Sequence, residues 1–158
     1  MTVYSAGDSN GEGEAMLQNL VAGTIVIALT VVIHTFGLIA VTRVMAWMTA
    51  QFRMNGRRSR VLAMITVVFG LFAIMTVEVW VWAAAFVLTG SFDDFATALY
   101  FSTVTFSTLG YGDVLPHEEW RLFTALEGVN GFLLIGWSTA YLVAAGMRVG
   151  PFKPGEHF

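Results

Sequence analysis

Three long apolar runs constrain this chain more than any other feature. Leu17 to Thr42 has no formal charge and one ionisable residue, His34, and Val61 to Gly90 holds one acid, Glu78. Trp120 to Met147 carries Arg121 and Glu127 near its start and no formal charge after them. Each run exceeds the ~20 residues that take a helix across a ~30 Å hydrocarbon layer. Charged residues make up only 12% of the chain, about half of the ~25% typical of soluble domains. The expectation is an all-α membrane protein with three spanning helices. The first run lacks a basic leading segment and is too long for the apolar part of a cleaved signal. Cysteine is absent, which excludes disulfides and thiolate metal sites.

Charge placement sets a predicted orientation. Arg43, Arg53, Arg57, Arg58 and Arg60 fall between the first and second runs, whereas the first fourteen residues hold Asp8, Glu12 and Glu14 and no base. Basic loops stay on the cytoplasmic side, so the N-terminus is expected outside and the C-terminus, with Arg148 and Lys153, inside. From Arg43 to Met54 the apolar residues Val44, Met45, Trp47, Met48 and Phe52 alternate with polar ones. That pattern suits either an amphipathic helix on the inner surface or a plain extension of the first helix. Residues 1–16 are expected as an external tail, 17–60 as the first span with its basic loop, and 149–158 as a short disordered cytoplasmic tail rich in Pro and Gly.

The segment from Ser91 to Glu119 then faces outward, yet Phe95 to Phe106 is too apolar for a solvated loop. About four turns of helix are expected there, with Asp93 and Asp94 at the front, where acids favour the positive end of the helix dipole. Such a piece is too short to cross the bilayer and is read as re-entrant. Irregular backbone at membrane depth survives only where it is buried in protein or lines water. The stretch after the short helix is therefore expected to line a pore.

The end of that helix and the residues beyond it read Thr105-Phe106-Ser107-Thr108-Leu109-Gly110-Tyr111-Gly112-Asp113. This run resembles the signature of potassium channels, T-x-x-T-x-G-Y-G-D, and the resemblance extends from about Val61 to Met147. The chain looks like the bacterial two-helix channels with one additional helix in front, which makes 61–148 the expected pore domain. The resemblance implies a homotetramer and a selectivity filter in which carbonyls of Thr108, Leu109, Gly110 and Tyr111, with the Thr108 hydroxyl, replace the water around a permeant potassium ion. Aiming successive carbonyls one way demands backbone angles that L-residues avoid and that Gly110 and Gly112 tolerate. Asp113 is expected at the outer mouth, and the end of the short helix near Thr105 presents partial negative charge to a cation.

Departures from the family pattern are local. Leu109 replaces the usual valine, Val104 stands where some relatives have glutamate, and Tyr100 stands where tryptophan is frequent. Tyr100 is expected either to bond Asp113 or only to pack. By position, Phe132, Ile135, Thr139 and Val143 resemble cavity-lining residues. Gly131 aligns with a gating hinge, with close helix packing as the other reading. Gly136, Ala140 and Ala144 form a small-residue stripe suited to helix packing.

Ionisable groups within spans are costly and demand partners. His34 and Glu78 are expected to meet near the midplane. The alternative is that Glu78 bonds Asn130 or a hydroxyl while His34 bonds a carbonyl of its own helix. Glu127 and Asn130 are expected behind the pore, with Glu127 fixing the short helix. The function expected is passive potassium conduction, with no catalytic residue, organic cofactor, nucleic acid or small-molecule substrate. A poorly selective cation channel and a non-conducting regulatory subunit are the alternatives. Lipid is the expected surrounding, in a bacterial inner membrane.

Overall fold

The computed structural model describes residues 8–51 and 57–149. Four α-helices and a single 3-10 turn form its regular structure, and no strand occurs among the described residues. Helix α1 is Asp8–Gln51, α2 is Arg57–Thr89, α3 is Phe95–Phe106 and α4 is Arg121–Val149; the 3-10 turn Glu118–Trp120 leads directly into α4. Gly11–Met48, Arg58–Thr89 and Glu118–Arg148 are each long and apolar enough to cross a membrane. The chain is an all-helical, multi-pass membrane protein.

Two boundaries differ from expectation. Helix α1 begins at Asp8, inside the expected external tail; acids in its opening turns favour the positive end of the helix dipole. It continues without a break past Arg43 to Gln51, so the plain extension is observed over that range. Phe52, Arg53 and Met54 lie outside the described residues, as does the tail 150–158 with Lys153. Helix α3 has 12 residues, a little over three turns.

The chain forms two compact units, and α1, α2 and α4 each contribute a part to both. The described residues of the first unit are 8–29 and 79–132. Its core is aromatic. Trp82, Phe86 and Phe123 are fully buried, with the Phe123 ring centroid 5.4 Å from each of the other two. Phe92 and Phe101 meet at 4.8 Å. Pairs of this kind contribute about 0.5–1.5 kcal/mol each beyond their burial, and here they hold α3 and the preceding turn against α2 and α4.

Asn19, buried near the start of α1, completes that unit. Its amide group donates to Glu119 O at 2.8 Å, and its Oδ1 accepts from Phe123 N at 2.8 Å. The first amides of a helix have no partner within it, so α1 caps α4 from outside. Helix α2 ends at Thr89, where Gly90 turns left-handed (φ 79°) and Ser91 N returns to Phe86 O at 2.8 Å. Asp94 opens α3 by accepting from Thr97 N at 2.9 Å. Hydrogen bonds from Thr97, side chain first and amide second, hold its carboxyl below the usual range.

The described residues of the second unit are 30–78 and 133–149. Leu38, Val41, Val67, Leu71, Ile74 and Ala145 form its core. A β-carbon on Gly37 would lie 2.6 Å from Ile74 Cγ1, and one on Gly70 would lie 2.5 Å from Val41 Cγ2. Each helix thus offers a glycine to a branched side chain of the other, the close approach that small residues allow in lipid. Gly136, Ala140 and Ala144 are exposed in the single chain, and Gly136 has open space around it.

Candidate functional site: the loop after helix α3

The last turn of α3 is closed by Ser107, whose amide and hydroxyl both donate to Thr103 O, at 3.2 and 2.7 Å. Beyond it the backbone alternates in hand. Thr108, Gly110 and Gly112 have φ of 62°, 56° and 72°, while Leu109 and Tyr111 between them do not take positive φ. Alternation of this kind turns successive peptide groups alike, with amides toward one side and carbonyls toward the other. The two glycines adopt it at little cost. Thr108 is β-branched and pays about 1–2 kcal/mol for the left-handed conformation. Strain at one residue persists only where its surroundings determine it, and such residues gather at functional sites.

Those surroundings are the end of α3. Thr108 N donates to Thr105 O at 3.0 Å, and Leu109 N and Gly110 N both donate to Val104 O, at 3.0 and 3.2 Å. Three consecutive amides are therefore drawn back to the helix. No described residue donates to the carbonyls of Thr108, Leu109, Gly110 or Tyr111. A row of carbonyls without protein donors suits a cation whose hydration shell it replaces. Among the described residues, no three acids or histidines gather as a metal site.

Asp113 closes the loop onto α3. Tyr100 Oη donates to Asp113 Oδ2 at 2.7 Å, so of the two readings for Tyr100 the bond is observed. That bond, with smaller contributions from desolvation and the Asp113 charge, raises the Tyr100 hydroxyl above the phenol value of 10.0. A groove of about 190 Å³ opens between Tyr100, Phe101 and Val104 on α3 and Gly110, Gly112 and Leu115 on the loop. Leu109 and Tyr111 are 59% and 67% exposed.

On α4, Phe132, Thr139 and Val143 are exposed and Ile135 is half-buried. Glu127 and Asn130 are buried on another side of the helix. Glu127 Oε1 accepts from Ser102 Oγ of α3. Gly131 is a point of close packing, since a β-carbon there would lie 2.3 Å from Phe106 O, and α4 runs through it unbroken. In the second unit, His34 Nδ1 lies 2.9 Å from Glu78 Oε1, with both side chains fully buried. The His34 ring also meets Trp137 of α4 at 5.1 Å.

Sequence reasoning overlooked Asn19, Ser102, Trp137 and the conformation of Thr108. The first two left a signal, a lone amide and a lone hydroxyl on otherwise apolar faces. Trp137 and Thr108 left none.

Residues 74–148 match a family model described as "Ion channel". That match supports an ion channel. It takes in the end of α2, α3, the loop and nearly all of α4, so the channel segment contains the site just described. No curated protein and no solved structure matches the chain significantly.

Proposed function

We propose that four copies of this chain form a potassium-selective pore, with the loop 108–112 of each lining one quarter of the ion path. The observation that carries this reading is the alternating backbone at Thr108, Gly110 and Gly112, whose amides turn back to α3 and whose carbonyls are left to a cation. One chain supplies one wall, so closure around an ion needs a ring of copies. The exposed side chains of Leu109 and Tyr111 and the open groove beside them are surfaces that neighbouring copies would cover. So is the bare small-residue stripe of α4. The permeant ion is the substrate, and the chain performs no bond-making step. In this reading the arginine-rich stretch 43–60 is cytoplasmic and Asp113 stands at the outer mouth, where it raises local cation concentration.

Purified protein in liposomes should carry potassium as a particle of four 17.3 kDa chains, and its reversal potential in mixed sodium and potassium should follow potassium. Exchange of Gly110 for alanine should abolish that selectivity in a tetramer that still assembles. Within one chain the β-carbon meets no atom within 4 Å, and the left-handed φ of 56° is what it strains. A reversal potential indifferent to the two ions would favour a poorly selective channel. Absence of any flux would favour a non-conducting subunit.

A further inference from the structure

Glu127 and Gly131 are one turn apart on α4, and the α3 residues they touch, Ser102 and Phe106, are also one turn apart. The first contact is a hydrogen bond between fully buried side chains. The second is backbone against glycine, with a β-carbon on Gly131 falling 2.8 Å from Phe106 Cα. Between these contacts lie Val104 and Thr105, the carbonyls that hold the amides of Thr108, Leu109 and Gly110. The geometry points to Glu127 and Gly131 as positioning residues: through Ser102 and Phe106, α4 sets the register of the last turn of α3 and so the aim of the loop carbonyls. This rests on the proposed conduction through that loop and adds what holds it in shape.

Ser102 Oγ has one hydrogen and two oxygen neighbours, Glu127 Oε1 and, at 2.9 Å, Val79 O of α2. Ser102 can share that hydrogen between the two acceptors as a three-centre bond, and a group at 127 with a hydrogen of its own, a carboxylic acid or an amide, can make each a full bond; an alkyl side chain can do neither. Glu127 thereby joins α2, α3 and α4 at one buried node. A negative charge is not what the contact needs; a hydrogen-bonding group of the right length is.

Two measurements on the full-length protein in lipid test this. In Glu127→Leu the amides of 108–110 should exchange hydrogen about tenfold faster, the order of one lost hydrogen bond, while the amide of Phe123, capped by Asn19, is unchanged. The ratio of potassium to sodium permeability should fall together with that protection. Glu127→Gln should restore both, and Ser102→Ala should reproduce the leucine effect, which covers the case that Glu127→Leu does not fold. Unchanged exchange at 108–110 in the leucine or serine variant, or exchange raised equally at Phe123, overturns the inference. If the parent protein conducts without selectivity, the proposed function fails, and the exchange measurement still decides whether Glu127 positions the loop.

Discussion

At the scale of the residue, the site is a matter of backbone hand. Thr108 shares with two glycines a conformation that a β-branched side chain resists. Tyr100 contributes from outside the loop by holding Asp113. Because its hydroxyl is raised in the folded protein, the bond contributes fully below the ordinary value of 10.0 and is lost as pH rises through the raised one. Tyr100→Phe removes it at every pH. The variant should therefore lose ion flux over time faster than the parent at neutral pH, and the difference should vanish in strongly alkaline solution. A difference that persists unchanged at alkaline pH would mean that the ring, not the hydroxyl, matters. The pattern Gly110-Tyr111-Gly112 made the loop legible in the sequence, because glycine marks where unusual angles are needed. Thr108 was not legible as a left-handed residue, since its angle is imposed by Val104, Thr105 and the rest of the loop.

At the scale of the element, α1 is attached to the helices of the matched segment by polar contacts in each unit. In the first, Asn19 caps the first turn of α4. In the second, His34 bonds Glu78 of α2 and packs on Trp137 of α4. Removing one member of a buried pair leaves the other without its partner, at a cost of about 3–5 kcal/mol. Within lipid the coupling between two side chains is smaller, about 0.6 kcal/mol on average and up to ~1.7. A double-mutant cycle with His34→Ala and Glu78→Gln should therefore be non-additive by about 0.5–2 kcal/mol in the stability of the protein in lipid. Strictly additive losses would deny any energetic contact between them. Each residue announced itself in the sequence as the only ionisable side chain in the centre of its run. Trp137 did not, because a tryptophan in an apolar helix reads equally as lipid-facing.

For the whole molecule, orientation is the property most open to a direct test. Arg60 and His117 are exposed, whereas Ser59 between the arginines is buried and is a poor site for a probe. Single cysteines at Arg60 and His117, in a chain with no cysteine of its own, should label from the cytoplasmic and external sides respectively. Reversed labelling would overturn the topology proposed from the basic stretch.

The sequence alone determined that the chain crosses a membrane, where its three spanning helices lie, and that a short helix precedes a glycine-rich loop. It could do so because hydropathy over ~20 residues and the angular needs of glycine are local properties, written along the chain. The tertiary structure alone decided which polar groups meet. Asn19 with Phe123, Ser102 with Glu127, and Gly131 with the backbone of Phe106 are separated by 104, 25 and a similar number of residues. Their pairing depends on helix register and rotation, which lipid-facing side chains leave free and only mutual packing sets. That register decides where the carbonyls of Val104 and Thr105 stand, and through them the shape of the loop.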